Sequence, residues 1–246
     1  MNNPAECKLS DPQNASTEEL KKEIARLEQV KNDYNNNQLG IKRFINSCYG
    51  AMASPYFTGF SVYAAEAVTL QGQNIIKFTN RIVDEYFLDM WHKDHETHKK
   101  LGLKRVNRIT AETVVVYNDT DSTYMTFQPA LDSCDWNGDP EEFILKLKDI
   151  KLDDYIEERF EEYAKSFNTK NLQALELEKI SYSALMVAKK KYILDLSWKE
   201  PGLHYGKQEK ISPTGIEIVQ GSTPKYVRKI LFDMINLIFK RNTDLK

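Results

Sequence analysis

The sequence predicts an α+β chain: an antiparallel sheet with covering helices, preceded by one long helix. Three observations carry this. Val114 to Phe127 runs apolar and β-branched residues into Asn118-Asp119-Thr120-Asp121 and then resumes with alternation, the pattern of a β-hairpin. Residues 16–50 hold no proline, and Leu20, Ile24, Leu27, Val30 and Tyr34 recur at helical spacing. Residues 174–198 alternate as two strands, with Leu175, Leu177, Ile180 and Tyr182 in the first and Leu185, Val187, Tyr192, Leu194 and Leu196 in the second.

The bulk properties narrow the class. A chain of 246 residues, 41% hydrophobic and 28% charged, has the composition of a globular protein with one sizeable core. A formal net charge of −2 gives no overall basic field, so any contact with nucleic acid must come from local patches. Cys7, Cys48 and Cys134 are odd in number and widely spaced, which predicts reduced thiols in a cytoplasm rather than a disulfide frame or zinc site. No stretch approaches the length and apolarity of a membrane span, and the opening residues are not those of a signal peptide.

Residues 1–15 are polar with two prolines and predict a disordered or loosely attached leader. Ser16 with Glu19 three residues later forms a capping-box signal that starts the long helix, with a loosening expected at Asn35-Asn36-Asn37. Its first half reads as a solvated helix. In its second half Gln38, Lys42 and Asn46 fall at i, i+4 and i+8, an amide–ammonium–amide stripe that Tyr49 follows. Such a stripe suits a triphosphate and the edge of a base pair. Residues 61–89 predict a second long helix with a broad apolar stripe. His92, His95 and His98 recur every three residues, and the plain reading is a solvated loop rather than a metal site. Pro129 to Glu142 reads as polar connection and Leu152 to Phe167 as an amphipathic covering helix. Thr223 and Pro224 open a last helix, with Thr223 as its cap.

In the hairpin, Asn118 and Asp119 supply turn chemistry, because Asx side chains bond back to the backbone. This sets Asp119 and Asp121 together at its tip, where two close anions call for a cation. Read alone, this is either an ordinary acidic turn or a divalent-metal site.

The surrounding segments give that hairpin a context. Tyr117-Asn118-Asp119-Thr120-Asp121-Ser122 resembles the Tyr-Gly-Asp-Thr-Asp-Ser signature of family B DNA polymerases. Lys42-Arg43-Phe44-Ile45-Asn46-Ser47-Cys48-Tyr49-Gly50 is similar to that family's Lys-x-x-x-Asn-Ser-x-Tyr-Gly motif, and Lys189-Lys190-Lys191-Tyr192 resembles its Lys-Lys-Arg-Tyr element. Leu175-Glu176-Leu177-Glu178-Lys179 resembles a Leu-Glu-Phe-Glu-Lys strand of the eukaryotic members, and the segment from Gly215 to Lys225 resembles a palm-to-thumb passage of the tailed-phage replicative members. Gln73 stands where that family usually has arginine, in a segment after Ala67.

The resemblance implies a polymerase palm over 51–222, with the catalytic hairpin at 113–128 and the Lys-Lys-Lys-Tyr strand at 185–198. It implies a fingers helix at 16–50 and the start of a thumb at 223–246. Asp121 would be the principal metal ligand, Asp119 a neighbouring carboxylate and Glu178 an outer one, around two magnesium ions. Lys42 would contact the incoming deoxynucleoside triphosphate, with Asn46, Tyr49 and Gln38 shaping its pocket. Lys189, Lys190, Lys191, Tyr192, Gly50 and Thr120 would hold primer–template DNA. Asn118 replaces the family's glycine, a mild departure for a strained turn. The family's first palm motif, Asp-x-x-Ser-Leu-Tyr-Pro, is absent, and with it an essential metal-binding aspartate. The expectation is therefore the C-terminal part of a split, phage-type polymerase. It would be active with an N-terminal chain that brings the exonuclease and that motif, in an infected cell's cytoplasm, and a sliding clamp is a further candidate partner. The alternative is a catalytically inactive DNA-binding or replisome scaffold protein; the presence of Lys42, Tyr49, Asp119 and Asp121 favours the enzyme.

Overall fold

The computed structural model describes residues 6–9, 15–200, 202–205 and 210–241. Most of the expected leader (1–5 and 10–14) and the last five residues lie outside that set. The chain forms two compact units, 1–71 and 72–246, each considered by itself.

In the first unit, helix α1 (Thr17–Met52) is continuous through Asn35, Asn36 and Asn37, without the expected loosening. Ser16 and Glu19 form the reciprocal capping box read from the sequence, satisfying donors that the first turn leaves unpaired. Glu23 is its only buried residue, while Ile24, Tyr34, Leu39, Ile41, Phe44 and Ile45 are exposed. Glu23 pairs with Arg26 at 2.6 Å and accepts from the Lys8 amide at 2.8 Å, and Arg26 donates to the Glu6 carbonyl at 2.7 Å. Residues 6–8 are thus tied to the helix through two of their own backbone groups, the Glu6 carbonyl and the Lys8 amide, which the Arg26 and Glu23 side chains of α1 hold. Helix α2 (Val62–Asp84) begins in this unit.

The second unit is built on the end of α2 and the residues beyond it. A π-helical turn (Glu85–Met90) and a 3₁₀ turn (Trp91–Lys93) carry Tyr86, Phe87 and Trp91 into the core. Edge-on and tilted aromatic contacts link them to Phe127, Phe143 and Tyr155. The buried polar tips are satisfied: the Trp91 indole donates to Ser133 and the Tyr155 hydroxyl to the Ile82 carbonyl. Helices α3 (His95–Leu101), α4 (Gln128–Ser133), α5 (Pro140–Leu147) and α6 (Asp153–Ser166) cover this core. α6 is the expected amphipathic helix, burying Tyr155, Ile156 and Phe160. Residues 129–142, read as polar connection, instead contain α4 and the start of α5, whose apolar faces are too short to show a period. The histidine run is not a solvated loop either. His98 is 6% exposed in α3, its ring edge-on to Trp91 at 4.8 Å, and burial lowers its basicity.

Two separate sheets complete the unit. Strands β1 (Val115–Asp119) and β2 (Ser122–Met125) form a two-stranded antiparallel ribbon. In the other sheet β4 (Lys191–Lys199) is central, paired with β3 (Lys179–Ala188) on one side and with β5 (Leu203–His204) and β6 (Lys210–Thr214) on the other. The strand break expected between Tyr182 and Leu185 does not exist. β3 runs through it, and the turn falls at Lys189-Lys190, inside the stretch read as one strand from 185 to 198. No Gly, Asn or Pro marks that turn; Lys190 adopts the left-handed conformation (φ 62°), which the alternation could not reveal. Helix α7 (Lys225–Arg241) begins one residue after Pro224 and buries Ile235 against Ile193 and Ile216.

Trp91→Ala, which opens a cavity in the aromatic core, is expected to cost about 3–5 kcal/mol in urea unfolding, against about 0.5 kcal/mol or less for Tyr34→Ala on exposed α1. The Arg26 guanidinium, then the Lys8 amide, hold the Glu23 carboxyl down from its ordinary 4.5 to about 2. A depressed acid stabilises above its unfolded value, so the attachment of residues 6–8 should be complete above about pH 5 and lost as pH falls through 4.5 towards 2. The Lys8 amide resonance followed by NMR against pH checks this.

Candidate active site

The β1–β2 ribbon sets the carboxylates. Asp119 pairs with Ser122, so the turn residues are Thr120 and Asp121, not Asn118 and Asp119 as the Asx chemistry suggested. Thr120 takes the left-handed conformation (φ 54°), and Asn118, in the family's glycine position, lies in the strand without that strain. The turn's short bond runs from the Asp121 amide to the Asp119 carbonyl at 2.6 Å, and the Ser122 hydroxyl donates to the same carbonyl at 3.0 Å. Thr123 is placed 3.5 Å from the Asn80 amide oxygen, linking the ribbon to α2.

Asp121 is exposed, and no described residue bonds its carboxylate. The Oδ1 atom of Asp119 accepts from the Thr120 hydroxyl at 3.1 Å and faces the Lys190 ammonium at 3.3 Å, leaving Oδ2 open among the described contacts. Two hard oxygen ligands fit a magnesium-type cation, which commonly takes one or two carboxylates and completes its shell with water and substrate phosphates. Among the described residues no three His, Cys, Asp or Glu converge to hold a metal without such help. Glu178 is exposed just ahead of β3, and no described contact joins its carboxylate to Asp119 or Asp121.

The turn between β3 and β4 docks onto this ribbon. The Lys190 amide donates to the Tyr117 hydroxyl at 2.7 Å, and the Tyr124 and Tyr192 hydroxyls meet at 2.6 Å. Tyr117, Tyr124 and Tyr192 have ring centroids 5.3–6.1 Å apart. Burial, then the Tyr192 hydroxyl, push the Tyr124 phenol well above its ordinary range, so it stays protonated as a hydrogen-bonding group. Behind the turn Gly215 has φ +67°, and a Cβ there would come 1.9 Å from the Lys190 carbonyl oxygen. Lys191 pairs with Glu217 at 3.0 Å, and the Glu217 carboxyl is lowered by its own backbone amide and by Lys191.

The Lys-Lys-Lys-Tyr element therefore divides its labour. Lys189 and Lys190 are exposed cations, Lys191 is already paired, and Tyr192 is 6% exposed and braces the ribbon. Residue-type reasoning misses Tyr117, Tyr124, Gly215 and Glu217 as parts of the site. The alternation after Ser122 and the Gly215-Ile216-Glu217 segment are the available signals. In the first unit Gln38, Lys42, Asn46, Tyr49 and Gly50 are exposed on α1, and the Tyr49 hydroxyl bonds Thr69 at 2.8 Å.

Comparison with known proteins agrees with the family resemblance. A family model for DNA polymerase family B matches residues 15–133, a span that includes the α1 stripe and the ribbon. The chain is 27% identical to the DNA-directed DNA polymerase of Escherichia phage RB69 over 80% of its length and 22% of that protein. It is 27% identical to that of Enterobacteria phage T4 over 96% of its length and 26% of that protein. It is 26% identical to the DNA polymerase delta catalytic subunit of Candida albicans over 90% of its length and 17% of that protein. The chain thus spans about a quarter or less of these relatives. No described helix is long and apolar enough to cross a membrane.

Gly215→Ala should force the Lys190 turn off the ribbon and cost roughly 1–3 kcal/mol in denaturant unfolding. Gly221→Ala, which meets nothing within 4 Å, should change stability by about 0.5 kcal/mol or less.

Proposed function

We propose that the chain is a member of DNA polymerase family B and carries the catalytic hairpin, the nucleotide-binding helix and a primer–template grip of a phage-type DNA-directed DNA polymerase. The observation that carries the reading is the docked pair of turns: the Asp119–Asp121 turn beside the Lys189–Lys191 turn, locked by Tyr117, Tyr124 and Tyr192. One turn offers oxygen ligands and the other offers cations, side by side, as nucleotidyl transfer at a primer end requires. Divalent cations, two in the family's scheme and magnesium by donor type, would be held by Asp121 with Asp119 beside it; they supply charge neutralisation at the triphosphate and the primer hydroxyl.

The remaining tasks belong to side chains. Lys42 neutralises triphosphate charge as a mobile point charge, and Asn46, Tyr49 and Gln38 shape the deoxynucleotide pocket. Lys189 and Lys190 bind DNA phosphates or universal minor-groove acceptors, which serves an enzyme that must accept every sequence. Tyr192 holds the grip in register. Gly50 leaves the end of the α1 stripe uncluttered, and Thr120 orients Asp119. Glu178 is left an outer, second-rank carboxylate.

The first palm motif is not among these 246 residues. Its aspartate must come from polypeptide beyond them, in our reading a separate N-terminal chain that also brings the exonuclease. The β1–β2 ribbon supports the need for further polypeptide, in the same chain or another: it is a two-stranded sheet, too small to be independently stable, and its outer edges pair with no described strand. A sliding clamp would join the assembly as a processivity partner.

Magnesium-dependent primer extension tests the reading. This chain mixed with an N-terminal polymerase chain that carries the missing motif should extend a primer, and Asp121→Ala should lower the rate at least about a thousandfold, from loss of the principal cation ligand. DNA binding without extension in the mixture would favour a scaffold protein instead.

A further inference from the structure

The contact between Lys190 and Asp119 joins the two halves of the proposed site, and its strength and its placement are mismatched. The ammonium lies 3.3 Å from Asp119 Oδ1, with side-chain exposures of 62% and 21%. Half-exposed pairs of this kind contribute little by themselves, because water competes and a long side chain must be ordered. Yet the backbone that delivers it is tightly specified. Lys190 takes a left-handed conformation that non-glycine residues adopt at a cost, its amide is fixed by the Tyr117 hydroxyl, and only the absence of a side chain at Gly215 leaves room for its carbonyl. The neighbouring Lys191 is neutralised by Glu217, so it cannot take the same part without breaking a pair. A rigid backbone with a weakly held charge at its tip is the construction of an exchangeable contact.

On the functional reading above, Asp119 and Lys190 each have a second suitor: a divalent cation for the carboxylate and DNA for the ammonium. A cation arriving at the open Oδ2 would sit within a few ångströms of the ammonium on the same carboxylate, and two cations that close repel. We propose that Lys190 is an exchangeable counter-ion of Asp119, occupying the carboxylate when neither DNA nor a divalent cation is present and transferring to DNA when the cation arrives. Each ligand thereby removes the competitor of the other, and the coupling must be reciprocal: the cation tightens DNA binding as much as DNA tightens cation binding. The device would keep Asp119 charge-compensated in the free protein and would favour cation loading where a primer is already held.

This inference rests on the polymerase reading, and one experiment separates their failures. Binding of a fluorescent primer–template to this chain assembled with an N-terminal polymerase chain that carries the missing motif is measured with and without Ca²⁺, which replaces magnesium without supporting turnover, at constant ionic strength. The wild-type chain should bind roughly fivefold or more tightly with Ca²⁺. Lys190→Arg, which keeps the charge, should retain that response. Lys190→Asn and Lys190→Gly, both suited to the left-handed backbone, should bind DNA more weakly and lose the response. Asp119→Asn should bind more tightly than wild type without Ca²⁺ and no longer respond to it. A Ca²⁺ response that survives in both Lys190→Asn and Lys190→Gly overturns the exchange while leaving the polymerase reading intact. Absence of DNA binding by wild type under both conditions overturns both.

Discussion

A hydrogen bond from the Lys190 backbone amide to the Tyr117 hydroxyl joins two sheets that share no strand. The β1–β2 ribbon is too small to be stable alone, and the four-stranded sheet around β4 meets it at the Lys189-Lys190 turn. Everything proposed about chemistry requires the two in one fixed register. That register is set by a few groups: the Tyr117–Tyr124–Tyr192 rings, the Tyr124–Tyr192 hydroxyl contact, and Gly215 beneath the Lys190 carbonyl. Each is short-range and directional. Charge attraction between Lys190 and Asp119 is a consequence of the docking rather than its cause.

The helical core supplies the ground for this arrangement. Tyr86, Phe87 and Trp91 arrive through a π-helical and a 3₁₀ turn, an irregular end to α2 that rotates three large rings into one cluster. Asp84, at the end of α2, accepts from the Val114 amide at 2.8 Å and the Thr113 hydroxyl at 2.9 Å, anchoring the strand just where it enters the ribbon. The position of Asp119 and Asp121 is therefore inherited from the core through Asp84 and Val114, not set by the turn alone. α1 is organised differently: it is specified by its capping box and leaves a long exposed face, including the Gln38, Lys42 and Asn46 stripe.

The parts legible in the sequence are those written in local patterns. The capping box at Ser16 and Glu19, the amphipathic α6 and the hairpin around Asp119 all depend on residues a few positions apart, and each is present in the structure. The illegible parts depend on distant partners. Nothing near Lys190 announces a left-handed turn, because the space for it is made by Gly215 and the bond for it by Tyr117. Asn118 has the residue type of a turn, yet the turn is one step later because the cross-strand pairing of Asp119 with Ser122 decides it. His98 reads as solvated, since no local pattern discloses the Trp91 ring that covers it. Tyr192 reads as a DNA-facing aromatic, and its contact with the Tyr124 hydroxyl, 68 positions away, has no local signal.

The central claim is that the Asp119–Asp121 turn and the Lys189–Lys191 turn work as one site on a primer end. The most direct measurement is the anomalous diffraction of manganese in crystals of this chain assembled with its polymerase complement and a primer–template. The account predicts manganese bound by Asp121 close to the primer 3′ end, with Lys190 withdrawn from Asp119 onto the DNA. Manganese bound elsewhere, with the Asp121 carboxylate free and the primer end remote from this turn, would contradict it.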